Sequence, residues 1–196
     1  MADNANQWWL NHTPEDLLVL VGEHHEYRKS TETAKAFFSA AIRVGGSSKA
    51  FYRLGKLLLE SGSPKEAVSP LLAASELLPD HAATRYLLAR AYKESGQTQS
   101  ALREMEVILA AHPDHPGAIT LVFDCYIGLG ELSRAARWWT DHPNVLYVSR
   151  SSRTSAAAIF EALADHARSD ELLGSLNGTE KKRAHRLAES LIGLAN

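Results

Sequence analysis

The sequence predicts an all-α chain: a right-handed α-solenoid of stacked helix-turn-helix repeats with a helical C-terminal cap. Three observations carry this. Gly62, Gly96 and Gly130 recur at one fixed interval (96 − 62 equals 130 − 96), and Ala67, Ala101 and Ala135 follow in step. Leu54, Leu88 and Val122 keep the same period, as do Pro79 and Pro113. Between Phe51 and Leu58, apolar residues fall at i, i+3, i+4 and i+7, the stripe of an amphipathic helix. A fixed period of about 34 residues marks an array of helix pairs, each burying its apolar face against its neighbours.

Taken in order, residues 1–14 form an N-terminal segment. Its Trp8 and Trp9 either fold back over the first helix or anchor a partner. Residues 15–47 make a degenerate first repeat, with Leu18, Val21, Gly22, His25, Ala34, Phe38 and Ala41 at the periodic positions. Lys29 stands there in place of the glycine, and Gly46 in place of the proline. Full repeats follow at 48–81 and 82–115, then a truncated one at 116–144, where His142-Pro143 arrives early and shortens the second helix by about a turn. Ser63-Pro64-Lys65-Glu66 reads as a capping box with proline at the first helical position, and Thr13-Pro14-Glu15-Asp16 as a near copy. Pro79 and Pro113 end the second helices. In residues 145–196, Val145 to Val148 have extended character. Ile159, Phe160, Leu163, Ala164 and Ala167 form the stripe of one helix, and Ala184, Leu187, Ala188, Leu191 and Ile192 that of a last one. This end caps the stack, with a homodimer contact as the alternative.

The residues in register are Phe51, Leu54, Gly55, Leu58, Gly62, Ala67, Leu71, Ala74 and Pro79, then Leu88, Ala89, Tyr92, Gly96, Ala101, Met105 and Pro113. Ile119, Val122, Tyr126, Gly130, Ala135 and Trp139 continue them. This pattern resembles the tetratricopeptide repeat family over roughly residues 15 to 144, and departs from it at Arg85, Ile108 and Phe123.

Composition is that of an ordinary helical domain, 45% hydrophobic and 22% charged, with a formal charge of −2 that argues against a generic polyanion binder. The basic residues Arg150, Arg153, Lys181, Lys182, Arg183 and Arg186 are balanced by nearby carboxylates, so nucleic acid is not an expected partner. The single Cys125 excludes an internal disulfide and reads as a packed thiol in a reducing compartment. No apolar run approaches the ~20 residues of a membrane span, and no basic-then-apolar leader opens the chain, so membrane insertion is not expected and a cytoplasmic location is.

No catalytic constellation, metal site or cofactor motif is expected. The histidines of Glu23-His24-His25-Glu26 point about 100° apart on a helix and cannot chelate one ion together. His25 falls at a core position, and His112-Pro113-Asp114-His115 echoes Pro79-Asp80-His81 as repeat punctuation rather than a zinc site. Asn177-Gly178-Thr179 matches a glycosylation acceptor, which matters only in a secreted chain.

The resemblance implies a concave groove lined by the first helix of each repeat. Its expected side chains are Tyr52, Lys56 and Leu59, then Tyr86, Arg90 and Lys93, then Thr120, Asp124 and Ile127, with Asp16, Val19, Glu23 and Glu26 leading. Two tyrosines among Lys56, Arg90 and Lys93 suit a peptide or helix with acidic character. Family members that clamp a chaperone tail use Lys and Asn where this chain has Tyr52 and Lys56, which argues against that role. The leading expectation is a non-catalytic adaptor or scaffold that binds a partner protein. The alternatives are a bacterial secretion-type chaperone and an accessory or regulatory subunit of an enzyme complex; alanine-rich, regular repeats have a bacterial look.

Overall fold

The computed structural model describes residues 12–142 and 150–195. Among these, eleven helices follow one another: α1 Pro14–Tyr27, α2 Thr31–Val44, α3 Ser48–Glu60, α4 Pro64–Leu77, α5 Ala82–Glu94, α6 Thr98–Ala111, α7 Pro116–Gly128, α8 Leu132–Asp141, α9 Arg150–Ala162, α10 His166–Gly174 and α11 Gly178–Ala195. The all-α expectation holds. Trp8, Trp9 and the stretch Val145 to Val148 lie outside the described residues. The chain divides after Gln97 into two compact units.

The periodic glycines terminate first helices in one recurring way. In the left-handed region, Gly62, Gly96 and Gly130 have φ of 79°, 86° and 72°. In each case the next residue donates its N–H to a carbonyl five positions back: Ser63 to Leu58, Gln97 to Tyr92 and Glu131 to Tyr126, at 2.7–2.9 Å. This is the Schellman turn, which satisfies carbonyls that a helix end leaves open. The same bond runs from Ser30 to His25 and from Asp165 to Phe160. There the left-handed residues are Lys29 (φ 59°) and Ala164 (φ 60°), which carry a Cβ.

Ala164 corrects the reading of the C-terminal region. It lies one full period after Gly130 (164 − 130 equals 130 − 96), so the repeat runs one pair further than expected. The stripe Ile159, Phe160, Leu163, Ala164 and Ala167 is not one helix. α9 ends at Ala162, Leu163 and Ala164 make the turn, and Ala167 is exposed on α10. α9 and α10 are therefore a further helix pair, with Phe160 at the position of Tyr126 and Leu173 at that of Trp139.

A second correction concerns Ser63. Its side chain makes no capping bond, and its own N–H is committed to the Leu58 carbonyl, which leaves Glu66 nothing to accept. The box at Thr13 does form: Asp16 N–H donates to Thr13 Oγ1 at 3.1 Å, and Thr13 N–H donates to Asp16 Oδ2 at 2.9 Å. The Thr13 hydroxyl also donates to Asp16 Oδ2, at 2.7 Å, and this bond, with that from the Thr13 N–H, holds the Asp16 carboxyl below its ordinary pKa. The short second helix expected before His142 is seen, since α8 has 10 residues where α6 has 14.

In the N-terminal unit, α1 packs on α2 and α3, and α4 on α3 and α5, so the first helices α1, α3 and α5 are neighbours. Small residues set the approach. A Cβ on Gly55 would lie 2.5 Å from Leu71 Cγ, and one on Gly22 2.5 Å from Phe38 Cε1. Val19, Ala34, Phe38, Ala41, Ala50 and Leu57 form one buried cluster; Leu58, Leu59, Ala67, Leu71, Leu88 and Ala91 form another. In the C-terminal unit α7 packs on α6, α8 and α9, while α9 also packs on α8, α10 and α11. Cys125 is buried there.

Candidate functional site

Of the expected groove residues, Tyr52, Lys56, Tyr86, Arg90 and Lys93 lie on α3 and α5 of the N-terminal unit, all half-buried. Spacing by four on one helix puts Tyr52 below Lys56 and Tyr86 below Arg90. Tyr52 meets the ring of His81 edge-on at 5.8 Å. Leu59 and Val19 leave the list, since both are buried in the core at 3% and 2% exposure. Position twelve of the repeat lies near the helix–helix seam, where a leucine turns inward and a lysine does not.

The charges on this face are joined to one another. Lys56 Nζ lies 3.4 Å from Glu26 and 3.7 Å from Glu60. Arg53 bridges Glu23 at 2.7 Å and Glu26 at 3.5 Å, with Lys49 on Glu23 at 3.2 Å. Arg90 pairs with Glu94 at 3.1 Å. Acidic α1 and basic α3 are thus zipped along their seam. The sequence reading singled out Glu23, Glu26 and Lys56 without pairing them, and missed Arg53 as the bridge. Only the packing of α1 on α3 brings groups this far apart in the chain to one contact.

Thr120 and Asp124 belong to α7 in the C-terminal unit. Thr120 Oγ1 donates to the Pro116 carbonyl at 3.0 Å and lies 3.2 Å from Ser152 Oγ on α9. Asp124 is half-buried.

The other candidates are absorbed by structure. His25 stacks on Phe37 at 5.4 Å, as a packed histidine should. His115 Nδ1 accepts the Ala118 N–H at 3.0 Å, and His81, one period earlier (115 − 81 equals 96 − 62), is the N-cap residue of α5. These two histidines therefore mark the starts of repeats. Asn177 Oδ1 accepts the N–H groups of Thr179 and Glu180 at 3.0 Å, so the glycosylation-like triplet is the N-cap of α11. Among the described residues, no group of three His, Cys, Asp or Glu side chains could hold a metal ion. None of the described helices is long and apolar enough to cross a membrane.

A cleft of about 470 Å³ between α8, α9 and α10 is lined by Arg137, Thr140, Asp141, Phe160, Asp165 and Arg168, among others. Arg168 stands over the Phe160 ring at 5.4 Å and pairs with Asp165 at 3.6 Å. One repeat earlier, Arg134 stands over Tyr126 at 5.4 Å and pairs with Glu131 at 2.6 Å. The recurrence makes this triplet part of the turn rather than a ligand site. Burial raises the Tyr126 pKa.

These observations define the class: an α-helical repeat protein built of successive helix pairs. The repeats are tetratricopeptide repeats, and residues 58–117 match the model of that family. No curated protein matches the sequence. Among solved structures, MamA from Desulfovibrio magneticus superposes with a TM-score of 0.71 at 19% identity, covering 87% of this chain and 96% of that one. YrrB, described as a TPR protein with an unusual peptide-binding site, gives 0.69 at 16% identity, with 99% and 98% covered. PilF of Pseudomonas aeruginosa gives 0.66 at 13% identity, with 91% and 87% covered. At such identities the likeness is one of fold.

Proposed function

We propose that this chain is a non-catalytic interaction module that binds a peptide or helix of a partner protein on its first-helix faces, and that the partner carries acidic groups. The fold is a protein–protein interaction fold. The carrying observation is the juxtaposition, on α3 and α5, of two tyrosines with Lys56 and Arg90, each of which pairs with an exposed glutamate four positions on. Glu60 and Glu94 lie four positions from Lys56 and Arg90 and are themselves 51% and 40% exposed. Helical pairs of this kind contribute only about 0.3–0.5 kcal/mol. A partner carboxylate can replace Glu94 on Arg90 at little cost and gain two-point geometry from the guanidinium. Tyr52 and Tyr86 supply contact area with little side-chain entropy to lose. Thr120 and Asp124 are proposed to serve the same purpose on α7.

The test is selection from a randomised peptide library displayed against the full chain and against a Tyr86→Ala/Arg90→Glu variant that keeps its helical circular dichroism. Wild type should enrich peptides rich in Asp and Glu, and the variant should not. Identical enrichment by both proteins would sink the assignment.

A further inference from the structure

We propose that α11 is an exchangeable, built-in occupant of the first-helix face of α9, and that its release opens this face to an amphipathic helix of another protein. That helix would carry two small residues four apart, a leucine three further on, and a basic group beside the first small residue.

α9 stands where the period puts a first helix, one step after α7 (150 − 116 equals 116 − 82). Its Thr154, Ala158 and Glu161 therefore occupy the same repeat positions as Tyr86, Arg90 and Lys93, each two periods earlier (154 − 86, 158 − 90 and 161 − 93 are equal). On α5 those three side chains are only half-buried, whereas Thr154 is 5% and Ala158 0% exposed. The cover is α11, which packs on α9. His185 Nδ1 lies 2.9 and 3.0 Å from the two carboxylate oxygens of Glu161, which places α11 over the row that Thr154, Ala158 and Glu161 share. Among its described side chains, α11 buries Ala184, Ala188 and Leu191, with exposures of 0%, 1% and 4%. Alanines four apart on α11, beside the small Thr154 and Ala158 of that row, allow the two backbones to approach closely.

This seat is not the next step of the array. A following first helix packs on the second helix before it, as α5 does on α4, whereas α11 packs chiefly on α9. It is also lightly held. Two alanines and one leucine are the fully buried described side chains of an 18-residue helix, while α7 buries seven in 13. Lys182, Arg183, His185 and Arg186 are exposed. An element with so little buried apolar surface is the kind that opens before the rest of a domain does.

The test uses the full-length chain and a labelled peptide with the sequence of residues 178–195. In wild type the tethered α11 competes with the peptide. Ala188→Glu in the protein undocks that competitor, so the peptide should bind this variant at least about ten-fold more tightly than wild type. A peptide that itself carries Ala188→Glu should not bind. Equal affinity for wild type and variant, or no binding to either, overturns the proposal. If the variant does not fold, hydrogen exchange of wild type decides: α11 amides should exchange at least about ten-fold faster than those of α9, and equal protection overturns the proposal. A wild-type dimer that Ala188→Glu converts to monomer would mean that a second copy supplies the helix, which also overturns it. Tyr86→Ala/Arg90→Glu should leave the peptide affinity unchanged, so this face and the α3/α5 face fail or stand separately.

Discussion

Single backbone positions carry much of this fold. Five first helices end through a left-handed residue, and at Lys29 and Ala164 that residue has a Cβ. An L-residue in this region costs about 1 kcal/mol more than glycine. Lys29→Gly and Ala164→Gly should each raise stability by about that amount, seen as a higher urea midpoint at unchanged slope. Gly62→Ala should lower it by about 1 kcal/mol for the same reason, since an added Cβ would meet nothing within 4 Å. Gly55→Ala acts by a different mechanism. Its Cβ would stand 2.5 Å from Leu71 Cγ, and forcing α3 and α4 apart should cost about 1–3 kcal/mol. If the two alanine variants proved equally mild, close approach would not be the role of Gly55. The period showed where these glycines fall, but not which of them serve a turn and which a seam.

At the scale of the helix, the two capping sequences look alike and behave differently. Thr13→Ala should cost about 1 kcal/mol, whereas Ser63→Ala should stay within about 0.5 kcal/mol of wild type. The Asp16 carboxyl, depressed by its Thr13 bonds, adds stability that is fully present above the ordinary carboxylate pKa and lost as pH falls through the depressed native value. An NMR titration of Asp16 in wild type and Thr13→Ala checks the sign: the midpoint should rise in the variant. Over α1 to α8, helix count and order were legible because apolar periodicity and the Gly/Pro punctuation agree. The pair α9–α10 escaped notice because alanine replaces its turn glycine, and an apolar run crossing a turn resembles one helix stripe. The signal was present all the same in the single-period step from Gly130 to Ala164.

For the whole molecule, stability in such arrays comes from each pair and its neighbours rather than from one central core. A lesion in one unit should therefore stay local. Gly55→Ala should speed amide exchange across residues 12–97 more than across 98–195, and a uniform loss of protection would show that the chain unfolds as a single block. The candidate site was legible in outline only. The family resemblance implied that Tyr52, Tyr86, Lys56, Arg90 and Lys93 share one face, yet it could not show that Lys56 is tied to Glu26 or that Leu59 turns inward.

The sequence by itself determined the fold class, the repeat length and the helix boundaries near the periodic glycines and prolines. These follow from local rules: periodicity, backbone conformation and the absence of an N–H at proline. Tertiary structure alone decided which charges neutralise each other across α1 and α3. It also decided that Thr13 caps and Ser63 does not, and that α11 lies on α9 rather than continuing the stack. Each of these depends on groups far apart in the chain arriving within a few ångströms, and a repeat pattern specifies neighbours within a pair more tightly than the partners a terminal helix chooses.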